Sequence, residues 1–560
     1  MTTHARNRPA LLLGIAASVA ATLAVVTPGH ASSPGTPSLL RDGRASSTSF
    51  FPSVMSGDPT VQPNTQIEPS IAVNPTNPLN VVTDFQVGRV DGGGDATNGF
   101  AVTFDGGQTW IDGLLPRLTK NNSPAGPFDR ASDAVVAFGP DGTVYANSLV
   151  FDDSSQNALP SGMAVNVSKD GGKTWTTPAI LSQDSLGGLN DKNWIIVDQG
   201  GTGTGHHKGR VYVVWDRVDP VVYSYCDANC DVTSNWSSGA TNAQTNQTNG
   251  FYVLFAGNGI GSMPVIQNDG SLTVVFRTDP AVPSVPEPAL STTVGTPVQQ
   301  VTAHLAGAVA WPAPLTFTST PIPVGVMHSV NLVPGQRAGG LPTAAIDPTT
   351  NQMYVGWEDS SLHTTDGRND AVFVTSTDGG ATWSSLARID PNADGTNLDD
   401  YNTALAVGPD GIVRAMYRER YEGTTVSKTI DTFYSQSTDH GATWSTPLKV
   451  DTQPTNTDYS AYSRGGVFEG DYNQITVASD NTAYITRDEA YAPTAGAPCS
   501  CILADPPSNN EFQTTWVAAI LASTPASNVP DARWVPALGL LGGAVMMIAL
   551  RRRRRSELPA

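Results

Sequence analysis

One eight-residue motif occurs four times in this chain, and that recurrence limits the folds open to it more than any other feature. The motif reads Ser/Thr-x-Asp-x-Gly-x-Thr-Trp and spans Thr103–Trp110, Ser168–Trp175, Ser376–Trp383 and Ser437–Trp444. Each copy follows a short β-type run, such as Ala371 to Thr375. Its chemistry is turn chemistry. The aspartate accepts from backbone N–H groups across the loop, the glycine supplies a positive φ, and the tryptophan covers the hairpin with a large apolar face. Asp105, Asp170, Asp378 and Asp439, with Trp110, Trp175, Trp383 and Trp444, are therefore expected to be structural.

A second repeat is an apolar strand, a tight turn and a strand usually ending in an aromatic. It begins near Ser70, Ala134, Trp194, Pro264, Thr343, Ala404 and Gln474. The interval of roughly 60 to 80 residues suits one four-stranded blade. The expectation is an all-β propeller of four-stranded antiparallel blades spanning 60–521. Seven blades are favoured, and six stay open because some copies are degenerate. The 54 glycines and 42 prolines, against only 14% charged residues, agree with many short strands and tight turns.

The ends of the chain read differently. Arg6 and Arg8, an apolar run and Gly29-His30-Ala31 make 1–31 a signal peptide. Residues 32–59 read as a disordered segment and 522–533 as a stalk. The apolar stretch 534–550 reads as one transmembrane helix, and 551–560, with five consecutive arginines, as a cytoplasmic basic tail. The expected location is the cell membrane, with the propeller outside. In an exported chain the four cysteines are disulfide candidates, and Cys226, Cys230, Cys499 and Cys501 leave the pairing open. A net charge of −19 excludes a nucleic-acid surface. A monomer is expected.

The four-fold motif resembles the Asp-box, or BNR repeat, of the sialidase superfamily. That resemblance implies a glycan-acting propeller whose Asp-boxes lie away from the active face. It further implies exo-cleavage of terminal acidic sugars by an arginine cluster, an aspartate acid/base and a tyrosine nucleophile assisted by a glutamate. The Arg-Ile-Pro motif of sialidases is missing. On an up-and-down blade, the ligand face carries residues just before the first strand and just after the second. The entering residues include Glu68, Arg130, Asp133, Asp191, Lys192, Asp400, Tyr401, Asp471 and Tyr472. From these columns Asp133 and Asp216 are candidate acids, and Tyr472 with Glu469 a candidate nucleophile pair. Arg217, Arg277, Glu358, Arg418, Arg487 and Asp488 are candidate substrate contacts. The competing expectation is a non-catalytic module that binds glycan or protein through the same face. No cofactor is required. Asp390-x-Asn392-x-Asp394-Gly395 resembles a calcium loop, although Leu398 and Tyr401 stand at its ninth and twelfth places.

Overall fold

In the computed structural model, the described residues are 36–46, 61–152, 160–184, 190–217, 220–237, 251–278, 296–304, 311–318, 320–328, 336–337, 340–463, 466–492 and 511–521. The expected signal peptide, stalk, transmembrane span, basic tail, Cys499 and Cys501 lie outside them. Among the described residues there is no α-helix, and no helix is long and apolar enough to cross a membrane. Cys226 and Cys230 form a disulfide.

Antiparallel units of four strands follow one another among the described residues, the first two joined in one eight-stranded sheet through Asp95 and Ala131. The first contains Val61–Val73, Val81–Val90, Asp95–Thr103 and Ile111–Leu114, and the second Arg130–Phe138, Val144–Phe151, Ser161–Ser168 and Ala179–Asp184. The third contains Asp191–Val197, Val211–Asp216, Val221–Cys226 and Tyr252–Phe255, and the fourth Ile260–Ile266, Leu272–Arg277, Thr296–Ala303 and Ile322–Met327. The fifth contains Thr343–Ile346, Met353–Asp359, Asp370–Ser376 and Ala387–Arg388, and the sixth Leu398–Val407, Val413–Tyr421, Thr429–Ser437 and Leu448–Lys449. The seventh takes Gln474–Val477, Thr482–Ala490 and Gln513–Leu521, and its outer strand is Ser38–Arg44 from the other end of the chain. The segment 32–59, expected to be disordered, thus contributes a strand. It pairs along the edge that Gln513–Leu521 would otherwise leave open, and an unpaired edge is a liability.

The central strands are nearly continuous apolar runs, such as Val211-Tyr-Val-Val-Trp-Asp216, because both faces of each sheet are covered. Seven core clusters each join neighbouring units. One packs Val135, Met163 and Val165 of the second unit on Ile195, Val213 and Trp215 of the third. Another packs Val81 and Phe85 of the first unit on Tyr484 and Val517 of the seventh. The first strands meet in order around a ring, and the seventh returns to the first. The ring therefore closes on itself through both packing and strand exchange.

A small extra sheet joins Gln336–Arg337, Ala461–Ser463 and Gly466–Phe468. It sits against the first unit. Tyr462 and Gln62 exchange hydrogen bonds of 2.6 and 2.7 Å, and Arg89 donates to Ser463 at 2.8 Å. Ile67, Ala461 and Phe468 form the apolar contact beneath it.

Candidate functional site

The turn aspartates behave as their chemistry requires. Asp105 accepts from the Gln108 and Thr109 N–H groups at 2.9 Å each and from the Thr109 hydroxyl at 2.6 Å. Asp170, Asp378 and Asp439 repeat the pattern with Thr174, Thr382 and Thr443. The Thr382 hydroxyl and N–H hold Asp378 down at about 2. The tryptophans are half-buried, and Trp175 and Trp444 pack on Phe100 and Phe373 of the preceding units. Gly106 donates to Leu79, and Asn80 donates to Gly171 of the next unit. Those contacts place the motif on the face of the first-to-second-strand turns. The residues entering each first strand occupy the opposite face.

Six residues before the turn that ends each first strand, the seven units carry Glu68, Asp133, Lys192, Gly261, Leu341, Asn402 and Tyr472. Five of these have a left-handed backbone, with φ of 49°, 47°, 44°, 76° and 51° at Glu68, Asp133, Lys192, Gly261 and Asn402. Each of those five sits in a break of strand register, a β-bulge. Four non-glycine residues held in this region at equivalent places carry strain, and such strain gathers at functional sites. Because the first strands line the axis, the seven positions form one ring around it.

The ring is polar on one side. Glu68 accepts from the Asp471 N–H at 2.9 Å and from the Gln86 amide. Asp133 accepts from the Lys192 N–H at 2.8 Å and from the Ser132 hydroxyl at 2.9 Å. Each carboxylate therefore also ties its unit to a neighbour. Burial, then the charge of Asp471, pushes Glu68 up to about 7. Burial, then Asp191, pushes Asp133 up to about 6. The Lys192 ammonium lies 3.4 Å from the centre of the Tyr472 ring and has no hydrogen-bond acceptor. Tyr472 meets Trp194 edge-on at 5.7 Å and donates to the Ala134 carbonyl at 3.3 Å. A cavity of about 730 Å³ follows the axis from the turns at Gly201, His206 and Asn268 to Lys192, Asp471 and Tyr472. Gly261 and Leu341 line its other side.

Asp133 and Tyr472 belong to the ring, and Glu358 lines the cavity. Asp216, like Glu68 and Asp133, is not among the residues lining the cavity. It is 1% exposed and accepts from Gly261 N–H and the Ser262 hydroxyl of the next unit at 2.9 and 2.6 Å, so it works as a pin between units. Glu469 is fully buried, bonds Ser460 and lies 3.8 Å from Arg418, so it is not the partner of Tyr472. Glu68 is the carboxylate whose charge acts most on that phenol.

The expected arginine clamp does not assemble. Arg418 is fully buried and faces Asp488 and Glu489 at 3.5 Å, with Thr455 accepting at 2.7 Å. Burial opposes its charge, but Asp488, Glu489 and Glu469 outweigh that and hold it protonated. Arg487 pairs with Glu489 and with Asp42 of the exchanged strand, the latter at 2.7 Å. Asp488 also accepts from Gln513. Arg277 donates to the Gly340 carbonyl at 2.6 Å, and Arg217 stacks over Phe251 at 4.6 Å. The column after the second strand thus lies one strand outside the ring, largely between units.

The expected calcium loop does not converge either. Asp394 accepts from the Thr364 and Thr365 N–H and hydroxyl groups, whereas Asp390 accepts from the Asn392 N–H. Asn392 donates to Asp400 and Glu419 at 3.0 Å each. His363, Asp366 and Asp394 do come within 4.8 Å of one another. Backbone N–H groups of Gly395 and Asn397 already satisfy Asp366, as those of Thr364 and Thr365 do Asp394.

No family model and no curated protein matches the chain. Among solved structures it is similar to the Hadza microbial sialidase Hz136, with 12% identity, 77% of this chain and 75% of that chain covered, and a TM-score of 0.40. It is also similar to the α-L-arabinofuranosidase Arb93A of Fusarium graminearum, with 13% identity, coverage of 70% and 93%, and a TM-score of 0.39. A third is the phage phi92 endosialidase, with 12% identity, coverage of 88% and 70%, and a TM-score of 0.39. None of these names decides what this chain acts on.

Proposed function

We propose that the seven units are the blades of one closed propeller that acts on glycans at its axis, as a glycoside hydrolase. The observation that supports this reading is the pair Glu68 and Asp133, which accept from the backbone of Asp471 and Lys192 in the cavity wall and are not themselves among its lining residues. They are two buried carboxyls at equivalent places in adjacent units, raised to about 7 and about 6. In this reading the first serves as the proton donor and the second as the carboxylate. Glycoside hydrolysis needs such a division, an acid for the leaving oxygen and a carboxylate for water or the sugar carbon. Trp194, half-buried in the cavity wall, adds an apolar face of the kind on which sugar rings stack. Tyr472 itself is held protonated by burial and by Glu68, and its ring carries the Lys192 ammonium, so it is not the nucleophile of this reading.

The signal peptide and the single span would display the propeller outside the cell, anchored by the basic tail. Release of reducing sugar from a panel of neutral and acidic glycosides tests the reading. Turnover on at least one glycoside is the expected outcome. Binding without turnover across the panel would instead make the same face a recognition module, and neither binding nor turnover would remove the glycan reading altogether.

A further inference from the structure

If the axial ring handles glycans, as proposed above, its charges decide which ones. Lys192 is the one cation among the seven ring positions. Against it stand Glu68 and Asp133 in the ring, with Asp191 and Asp471 beside them. These carboxylates are close enough to raise one another's proton affinity. Arg89 acts on Glu68 but is paired with Asp95 at 3.1 Å, and the three arginines expected to form a clamp are committed elsewhere. Arg418 and Arg487 are enclosed by carboxylates between the sixth and seventh units, and Arg277 serves a backbone carbonyl.

Lys192 is 7% exposed, lines the cavity and has no hydrogen-bond acceptor on its ammonium. Its backbone is held at a φ of 44°, in the region that strains a residue with a Cβ. The ammonium rests on the Tyr472 ring at 3.4 Å, and its N–H groups still lack an acceptor, which a bound molecule can supply. A sugar hydroxyl both accepts and donates, so it satisfies the lysine and the neighbouring carboxylates together. A sugar carboxylate only accepts. It would meet one ammonium and, in the same cavity wall, the carboxylates of Asp471 and Glu358, which repel it.

We propose that the axial site takes uncharged sugars and turns away those carrying a carboxylate, with Lys192 as the specificity-determining donor to a hydroxyl of the bound residue. The test is an array of neutral and carboxylate-bearing glycans, probed with the full chain and with Lys192→Met and Lys192→Arg. The expected result is binding confined to neutral glycans, weakened at least ten-fold in Lys192→Met and less in Lys192→Arg. A ten-fold preference for carboxylate-bearing glycans would overturn this inference while leaving the glycan reading intact. Wild-type affinity in a folded Lys192→Met would overturn the role of the lysine. No binding to any member would remove the glycan reading, and this inference with it. The wild-type preference alone decides the charge rule should the methionine variant fail to fold.

Discussion

Glu68 and Asp133 gain their chemistry from position more than from type. Both were visible in the sequence as residues entering a first strand, but only Asp133 stood out as an acid. The missing signal was register. Counting back from the turn that ends each first strand brings Glu68, Asp133, Lys192 and Tyr472 into one column, and the left-handed bulge there is not evident from residue types. The pair predicts a bell-shaped pH dependence of turnover. Activity should be highest between about 6 and 7, where Asp133 is ionised and Glu68 still holds its proton. A profile still flat at pH 8.5 would argue against Glu68 as the acid. The Asp-box tryptophans were legible as structural from their turn chemistry. Trp175→Ala should destabilise by roughly 3 kcal/mol, at the low end for tryptophan truncation because the ring is half-exposed. Denaturant unfolding measures this, and turnover by the folded fraction should be unchanged.

At the scale of strands and turns, the order of elements was legible and the depth of their ends was not. The polar column after each second strand looks like a rim in the sequence, because charge at a loop usually is solvated. Here neighbouring units close over it, and the charges neutralise one another. Arg418→Ala should therefore destabilise the fold by about 3–5 kcal/mol, since it leaves buried carboxylates without their cation. An unfolding midpoint equal to wild type would mean that this network is solvated after all. The exchanged strand was missed for a related reason. Ser38–Arg44 carries two arginines, an aspartate and a glycine, and no alternating apolar pattern marks it as a strand. Its place is set by a partner more than 400 residues away in sequence, through pairs such as Gly43 with Val517. A chain beginning after Ser46 should unfold at a lower temperature than the full chain, and a peptide covering Ser38–Arg44 added in excess should raise that temperature again. No recovery with peptide would argue against strand exchange as the closure.

Across the whole molecule, buried carboxyls set how stability varies with pH. Asp95, Asp370 and Asp451, like Glu68, are raised to about 7, in each case by burial first. Their ordinary values are 3.8 and 4.5, so above those the unfolded chain releases protons that the folded chain keeps. Stability should then fall as pH rises from about 5 to 8. Asp378, held at about 2, has the opposite sign, and its contribution is lost as pH drops below 4. Thermal unfolding at pH 3, 5 and 8 should show the highest midpoint at pH 5, whereas a midpoint that rises steadily to pH 8 would contradict the burial of these groups.

The ring at the axis carries the proposed chemistry. Its sharpest test is the rate of sugar release by Glu68→Gln and Asp133→Asn on whichever glycoside the wild type cleaves. Each variant is predicted to lose at least about 100-fold in turnover, as removal of a general acid or base does. Thermal unfolding at pH 7.5 checks that both variants are folded when their turnover is measured. Release at the wild-type rate by both variants would contradict the assignment of the axial ring as the catalytic site.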